Sequence, residues 1–160
     1  MAWKIVETDY ENKNFWQEKA DYENRVEMMR VINVYPECRY QKIRGFGGAF
    51  TESSGYNLTR LPEAAQEEVI KAYFGQEGLR YNLGRTHINS CDFALGNYAY
   101  DEDEADASFE KFDIGRDKKY ILPMIVRAKD AAGEEIEILA SPWSPPAYMK
   151  TNGEMNHGGK

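Results

Sequence analysis

Leu79-Arg80-Tyr81-Asn82-Leu83-Gly84-Arg85-Thr86-His87-Ile88-Asn89-Ser90-Cys91-Asp92 is the stretch on which the fold turns. It reads as a strand over Leu79–Asp92, with Arg85, His87 and Asn89 at alternating positions and Asp92 closing it. Such polar residues gathered near the end of an otherwise apolar strand ask for an explanation. Outward on the N-terminal side lies a helix pattern, Pro62–Phe74, and before it a strand pattern, Gln41–Thr51. On the C-terminal side a helix pattern runs from about Pro123 to Gly133, followed by a strand over Glu135–Trp143. Strand, helix, strand, helix, strand, with polar residues at the strand ends, is how a (β/α) barrel begins, and such barrels keep their chemistry at the C-terminal ends of the strands.

The helix patterns have physical grounds. Pro62 suits a first helical turn, Glu63 and Glu67 favour the positive end of the dipole, and Gly75 is a natural terminator. Ala65, Val69, Ala72 and Tyr73 share the spacing of one buried stripe, as do Met124, Ile125, Ala128 and Ala132 in the second helix. The fold class expected is therefore α/β: the first three βα units of a (β/α)8 TIM barrel. A closed barrel takes eight strands and about 250 residues, so the pattern predicts an interrupted one whose third strand has a bare edge. Ahead of it, Arg25–Tyr35 is rich in β-branched residues and ends at Pro36, which predicts a strand of a separate sheet. The expected organisation is residues 1–38 contributing to a β side domain and residues 39–160 forming the incomplete barrel.

The composition (42% apolar, 13% aromatic, 29% charged over 160 residues) is that of a globular protein. With 27 acidic against 20 basic residues, the net charge of −7 argues against nucleic acid or an anionic membrane as partner. No run approaches the ~20 consecutive apolar residues of a membrane span. Glu7 and Asp9 interrupt the N-terminal stretch before a signal-peptide core can form, which predicts a cytoplasmic product. Cys38 and Cys91 are too few for a disulfide framework and lack partners at metal-ligand spacing. The expectation is no metal and no organic cofactor. Gly45-Phe46-Gly47-Gly48-Ala49-Phe50 fails as a dinucleotide loop because Phe50 stands where the last glycine belongs; its glycines predict a bulge or a close approach of another group. The acidic run Asp101–Asp106 reads as a solvated excursion, and a calcium loop fits it poorly.

Asp92 has two readings of equal weight: a carboxylate that binds sugar hydroxyls through charge-assisted hydrogen bonds, or a cap on a turn. Trp143, framed by Ser141-Pro142-Trp143-Ser144-Pro145-Pro146, is either a stacking platform for a sugar ring or a plug in the barrel mouth. The rigid proline frame favours the platform. Arg85 points toward an interior that ought to be apolar, which predicts pairing with an acid, either a catalytic carboxylate supplied by a later strand or the partner in a purely structural ion pair. His87 reads as a hydrogen-bonded interior histidine, and Glu52 as a cap in preference to a substrate contact.

Four ordered stretches resemble glycoside hydrolase family 30, the glucosylceramidase family. They are Tyr40-Gln41-Lys42-Ile43-Arg44-Gly45-Phe46-Gly47-Gly48-Ala49-Phe50-Thr51-Glu52, then Gly78–Arg85, then Asn89-Ser90-Cys91-Asp92-Phe93, then Ala140–Pro146 leading to Lys150-Thr151-Asn152-Gly153. The resemblance implies a (β/α)8 barrel with a β side domain, and hydrolysis of β-glycosides with retention. It implies that Asp92 and Trp143 bind the sugar in the reactive subsite and that Arg85 supports the nucleophile. The Ser-Cys-Asp-Phe form is closer to the glucosylceramidase and β-1,6-glucanase branches than to the glucuronoxylanase branch. The family's two catalytic glutamates follow its fourth and seventh strands, so the resemblance places no catalytic residue in this chain. The expected function is thus an N-terminal portion of a retaining β-glycosidase, acting on a glucoside or glucan, with the C-terminal part of the barrel as a further partner. A non-catalytic carbohydrate-binding or structural module and one half of a split enzyme are the alternatives.

Overall fold

The computed structural model describes residues 4–19 and 32–160. The chain divides into two compact units, residues 1–42 and 43–160. In the first, β1 (Ile5–Asp9) and β2 (Asn14–Lys19) pair as an antiparallel ribbon. Its turn is closed by the Asp9 carboxylate, which accepts the N–H groups of Glu11 and Asn12 at 3.0 and 3.1 Å. Those bonds, with the Asn12 side-chain amide foremost, hold the Asp9 carboxyl below its usual range. The sequence shows no strand here, because its apolar residues fall as adjacent pairs, Ile5-Val6 and Phe15-Trp16, and no alternation marks it. The strand expected over Arg25–Tyr35 falls largely outside the described residues; residues 32–35 carry no strand.

The second unit begins with β3 (Gly47–Phe50), shorter than the expected Gln41–Thr51. α1 (Glu52–Thr59) and α2 (Glu63–Phe74) follow, then β4 (Leu83–Ile88), α3 (Gly115–Ala132), β5 (Glu137–Pro142) and a 3-10 turn at Ala147–Met149. The three strands form one parallel sheet in the order β3-β4-β5, with Ala49, Arg85 and Leu139 in register across it. Gly47 marks the close approach that its strand glycines predict: a Cβ there would stand 1.6 Å from the Leu83 carbonyl oxygen. Asn82 ties the strand entries together, donating to the Arg44 carbonyl and accepting from the Phe46 N–H, both at 3.2 Å.

One sheet face packs on the helices. Phe50, Leu58, Ile70, Ile121, Met124, Ile125, Ala128, Ala132 and Ile136 make the buried core, with Ile138 half-buried against it. Two expectations need correction, and one helix is additional. α3 starts at Gly115, eight residues ahead of Pro123, which sits inside the helix. Proline favours a first helical turn, but here the buried stripe Asp117-Ile121-Met124-Ile125-Ala128-Ala132 runs through it and packing outweighs the lost hydrogen bond. In α2 the inner stripe falls on Val69, Ile70 and Phe74, while Ala72 and Tyr73 are exposed. Adjacent apolar pairs made two overlapping stripes possible, and Phe74 stacking on Phe50 at 5.5 Å selects one. Finally, α1 has too little apolar periodicity to be read from sequence. It forms because Thr51 caps it, accepting the Ser54 N–H at 3.2 Å, and because Gly55 lets it approach α3.

Candidate functional site

The loops after β4 and β5 lie at the carboxyl end of the sheet. Asn89 stops β4 with a left-handed backbone (φ 60°), four residues earlier than the strand expected to reach Asp92. Its carboxamide joins both loops, donating to the Ser144 carbonyl at 3.2 Å and accepting the Tyr100 N–H at 3.0 Å. A tight turn follows, closed by the Ala94 N–H donating to the Cys91 carbonyl at 3.0 Å. Burial foremost pushes the Cys91 thiol above its ordinary value, so it stays protonated.

Asp92 sits in that turn with an exposed carboxylate. It accepts no hydrogen bond from any described residue, so it does not cap the turn. It lines a cleft of about 250 Å³ together with Thr51, Arg85, His87, Phe93 and Trp143. The structure therefore brings Asp92, Trp143 and Arg85 together. Trp143 follows β5 directly, is 49% exposed and lines the cleft with its indole. The acid expected to pair with Arg85 is not supplied by the described residues. The Arg85 guanidinium donates to the Ser141 hydroxyl at 3.1 Å and lies 5.3 Å from the centre of the Trp143 ring, with no carboxylate in reach among the described residues. His87 is the hydrogen-bonded interior histidine that its register predicts. It is 3% exposed, donates its Nδ1–H to the Asn89 carbonyl (2.5 Å) and accepts the Glu52 N–H at Nε2 (3.3 Å), the arrangement of the Nδ1–H tautomer.

Glu52 is not the cap expected of it; Thr51 has that role. The Glu52 carboxylate is 1% exposed and accepts Arg116 Nε at 2.6 Å and the Leu95 N–H at 2.7 Å. Arg116 lies 4.3 Å above the Tyr98 ring, and Tyr98 and Tyr100 both donate their hydroxyls to Asp117. Burial foremost, then the Asp117 carboxylate, raises the pKa of Tyr98 well above the ordinary tyrosine value, and the same causes raise that of Tyr100. Sequence reasoning missed this network because Arg116 stands 64 positions from Glu52 and nothing local links them. A second cavity of about 380 Å³ opens between the same two loops, lined by Asn97, Glu102, Tyr148, Glu154 and Asn156. Among the described residues no cluster of three or more His, Cys, Asp or Glu could hold a metal, and no helix is long and apolar enough to cross a membrane.

Residues 43–160, the whole second unit, match the model of the glycosyl hydrolase family 30 TIM-barrel domain. The chain belongs to glycoside hydrolase family 30. Within that family it is 43% identical over 130 residues to putative glucosylceramidase 3 of Caenorhabditis elegans, covering 81% of this chain and 25% of the relative. The crystal structure of SrfJ from Salmonella typhimurium superposes with a TM-score of 0.84 at 36% identity, over 98% of this chain and 36% of that one. The endo-β-1,6-glucanase BT3312 gives a TM-score of 0.64 at 30% identity, over 72% of this chain and 25% of that one. The chain thus spans about a quarter of the length of the curated relatives it matches. Its parallel sheet and α/β order are those of the family 30 barrel domain.

Proposed function

We propose that this chain supplies the first three βα units of a family 30 retaining β-glycosidase and, with them, part of the subsite that holds the sugar. One observation carries the proposal: Asp92, Trp143 and Arg85, from two neighbouring strand ends, line one cleft. The exposed indole offers an apolar face to the C–H side of a pyranose ring. The unpaired Asp92 carboxylate is free to accept hydroxyl hydrogens at its edge. Arg85 stands beneath the indole, where it stiffens the platform and places a positive charge near the reacting sugar.

Retention needs two carboxyl groups about 5–5.5 Å apart, one attacking and one protonating. Asp92 is the one carboxylate among the residues that line the cleft. Its partner acids must come from strands other than β3, β4 and β5, and these 160 residues by themselves are expected to bind sugar without cleaving it. The substrate class that fits is a β-glucoside or β-glucan, in keeping with the glucosylceramidase and β-1,6-glucanase names of the relatives.

Titration of the isotopically labelled chain with gentiobiose, followed by amide and indole resonances, tests this. A stacked ring and a charged hydrogen bond leave about 3 kcal/mol after ordering costs, or a Kd of about 10 mM. The Trp143 indole and Asp92 amide should shift together, and Asp92→Ala or Trp143→Ala should each abolish the shift. Gentiobiose shifts that ignore both substitutions would overturn the assignment. Turnover of an aryl β-glucoside by the mass-verified chain, lost in Asp92→Ala, would overturn the absence of cleavage.

A further inference from the structure

We propose that Glu52, clamped by Arg116, is a positioning residue that sets the turn bearing Asp92. The inference rests on the sugar-binding reading of the cleft and deepens it. Asp92 makes no side-chain hydrogen bond with a described residue, so its carboxylate goes where the backbone of its turn puts it. Beyond the turn's own closure on Cys91, that backbone is held from the start of α1. The Ser53 N–H donates to the Phe93 carbonyl at 3.0 Å, and the Glu52 carboxylate accepts the Leu95 N–H at 2.7 Å. These two bonds fasten the residues that immediately follow Asp92 to the first turn of α1. The Glu52 N–H, in turn, donates to His87 at the end of β4, so α1, the strand end and the turn share one anchor.

The anchor is rigid because the carboxylate is itself held. Arg116 Nε and one terminal nitrogen reach its two oxygens at 2.6 and 3.3 Å. The guanidinium cannot swing away, since it also packs over the Tyr98 ring, whose hydroxyl is bonded to Asp117 on the same helix. A buried carboxylate with fewer donors would turn outward toward water, and the Leu95 N–H would lose its acceptor. The Glu52 hydrogen bond foremost holds the Arg116 pKa above the ordinary guanidinium value, which agrees with a pair that stays charged. Neither residue lines the cleft, so their effect on sugar passes through the turn.

The test uses the full chain with Glu52→Gln, which preserves shape but weakens the ionic clamp, and with Arg116→Ala. Expected for both is a circular dichroism spectrum close to the parent, about tenfold faster hydrogen exchange at the Leu95 amide, and a displaced Asp92 amide resonance. Gentiobiose affinity should fall about fivefold, less than in Asp92→Ala. Ethylguanidinium at low millimolar concentration should restore the Leu95 protection and the affinity of Arg116→Ala, which a general loss of stability would not allow. If Arg116→Ala fails to fold, Arg116→Lys keeps the charge without the two-point contact and should show the same exchange defect. Unchanged Leu95 exchange and an unmoved Asp92 amide in Glu52→Gln would overturn the proposal, as would loosened exchange with full gentiobiose affinity. A parent chain that binds no gentiobiose would instead overturn the cleft assignment. The claim that Glu52 sets the turn would then be decided by the exchange and resonance data alone.

Discussion

The two faces of the parallel sheet have different work. On the helix side Phe50 is 3% exposed and meets Gly84 and Ile138 under α2 and α3. On the other side the register partners Ala49, Arg85 and Leu139 are exposed, and Leu139 presents 64% of its surface. The sheet thus turns alternate residues of its strands toward the helices and away from them. At the top of the open face the loop after β4 roofs His87 with Tyr98, their rings 6.3 Å apart, and the exposed surface becomes a site.

Substitutions on the two faces should separate these roles, most strongly in the core. Ile121 is 1% exposed at the centre of the helix-side cluster. Ile121→Ala should cost about 3 kcal/mol through lost transfer energy and a cavity, read as a lower urea midpoint with unchanged slope. A loss below about 1 kcal/mol would mean that the helices do not form one core with the sheet. Gly55→Ala should cost about 2 kcal/mol, since its Cβ would stand 2.5 Å from the Tyr120 carbonyl oxygen and α1 would have to shift away from α3. Wild-type stability here would place α1 elsewhere.

The roof over the open face should show itself in pH dependence. Tyr98 and Tyr100 hold their protons more tightly when folded than when unfolded, chiefly through burial and then through Asp117. A raised folded pKa gives stability that is present below the unfolded value, near 10, and lost as pH rises beyond it. Urea midpoints should fall from about pH 10 upward, and Tyr98→Phe or Tyr100→Phe should flatten that fall. A profile identical in parent and variants would detach both hydroxyls from Asp117.

What the sequence disclosed follows the same division. The three strands, α2 and the inner face of α3 were legible because apolar residues recur at the periods of buried elements; Met124, Ile125, Ala128 and Ala132 are all buried. Boundaries were less legible. Pro123 looks like a helix start to a local reading, and only contact with the sheet shows that α3 continues through it. The cleft residues stood out because Arg85, Asp92 and Trp143 are the wrong chemistry for a barrel wall and lie in ordered motifs. Glu52 was visible as a residue but not in its role. Its partners Leu95 and Arg116 come from distant parts of the chain, and such polar contacts carry no period. The β1–β2 ribbon escaped for a related reason: its apolar residues stand in adjacent pairs and carry no period of two.

The smallest expected effect probes the open face directly. Leu139 lies in β5 beside Arg85, and an apolar side chain with 64% of its area in water contributes little to folding. Leu139→Thr keeps a residue suited to strands while removing most of the apolar surface. Its effect on the unfolding free energy should stay within about 0.5 kcal/mol, and the midpoint should not depend on protein concentration. A destabilisation of more than about 1 kcal/mol that grows with concentration would show that copies of the chain cover this face for one another. The sheet would then bury both faces in solution, and the division of labour between them would fail.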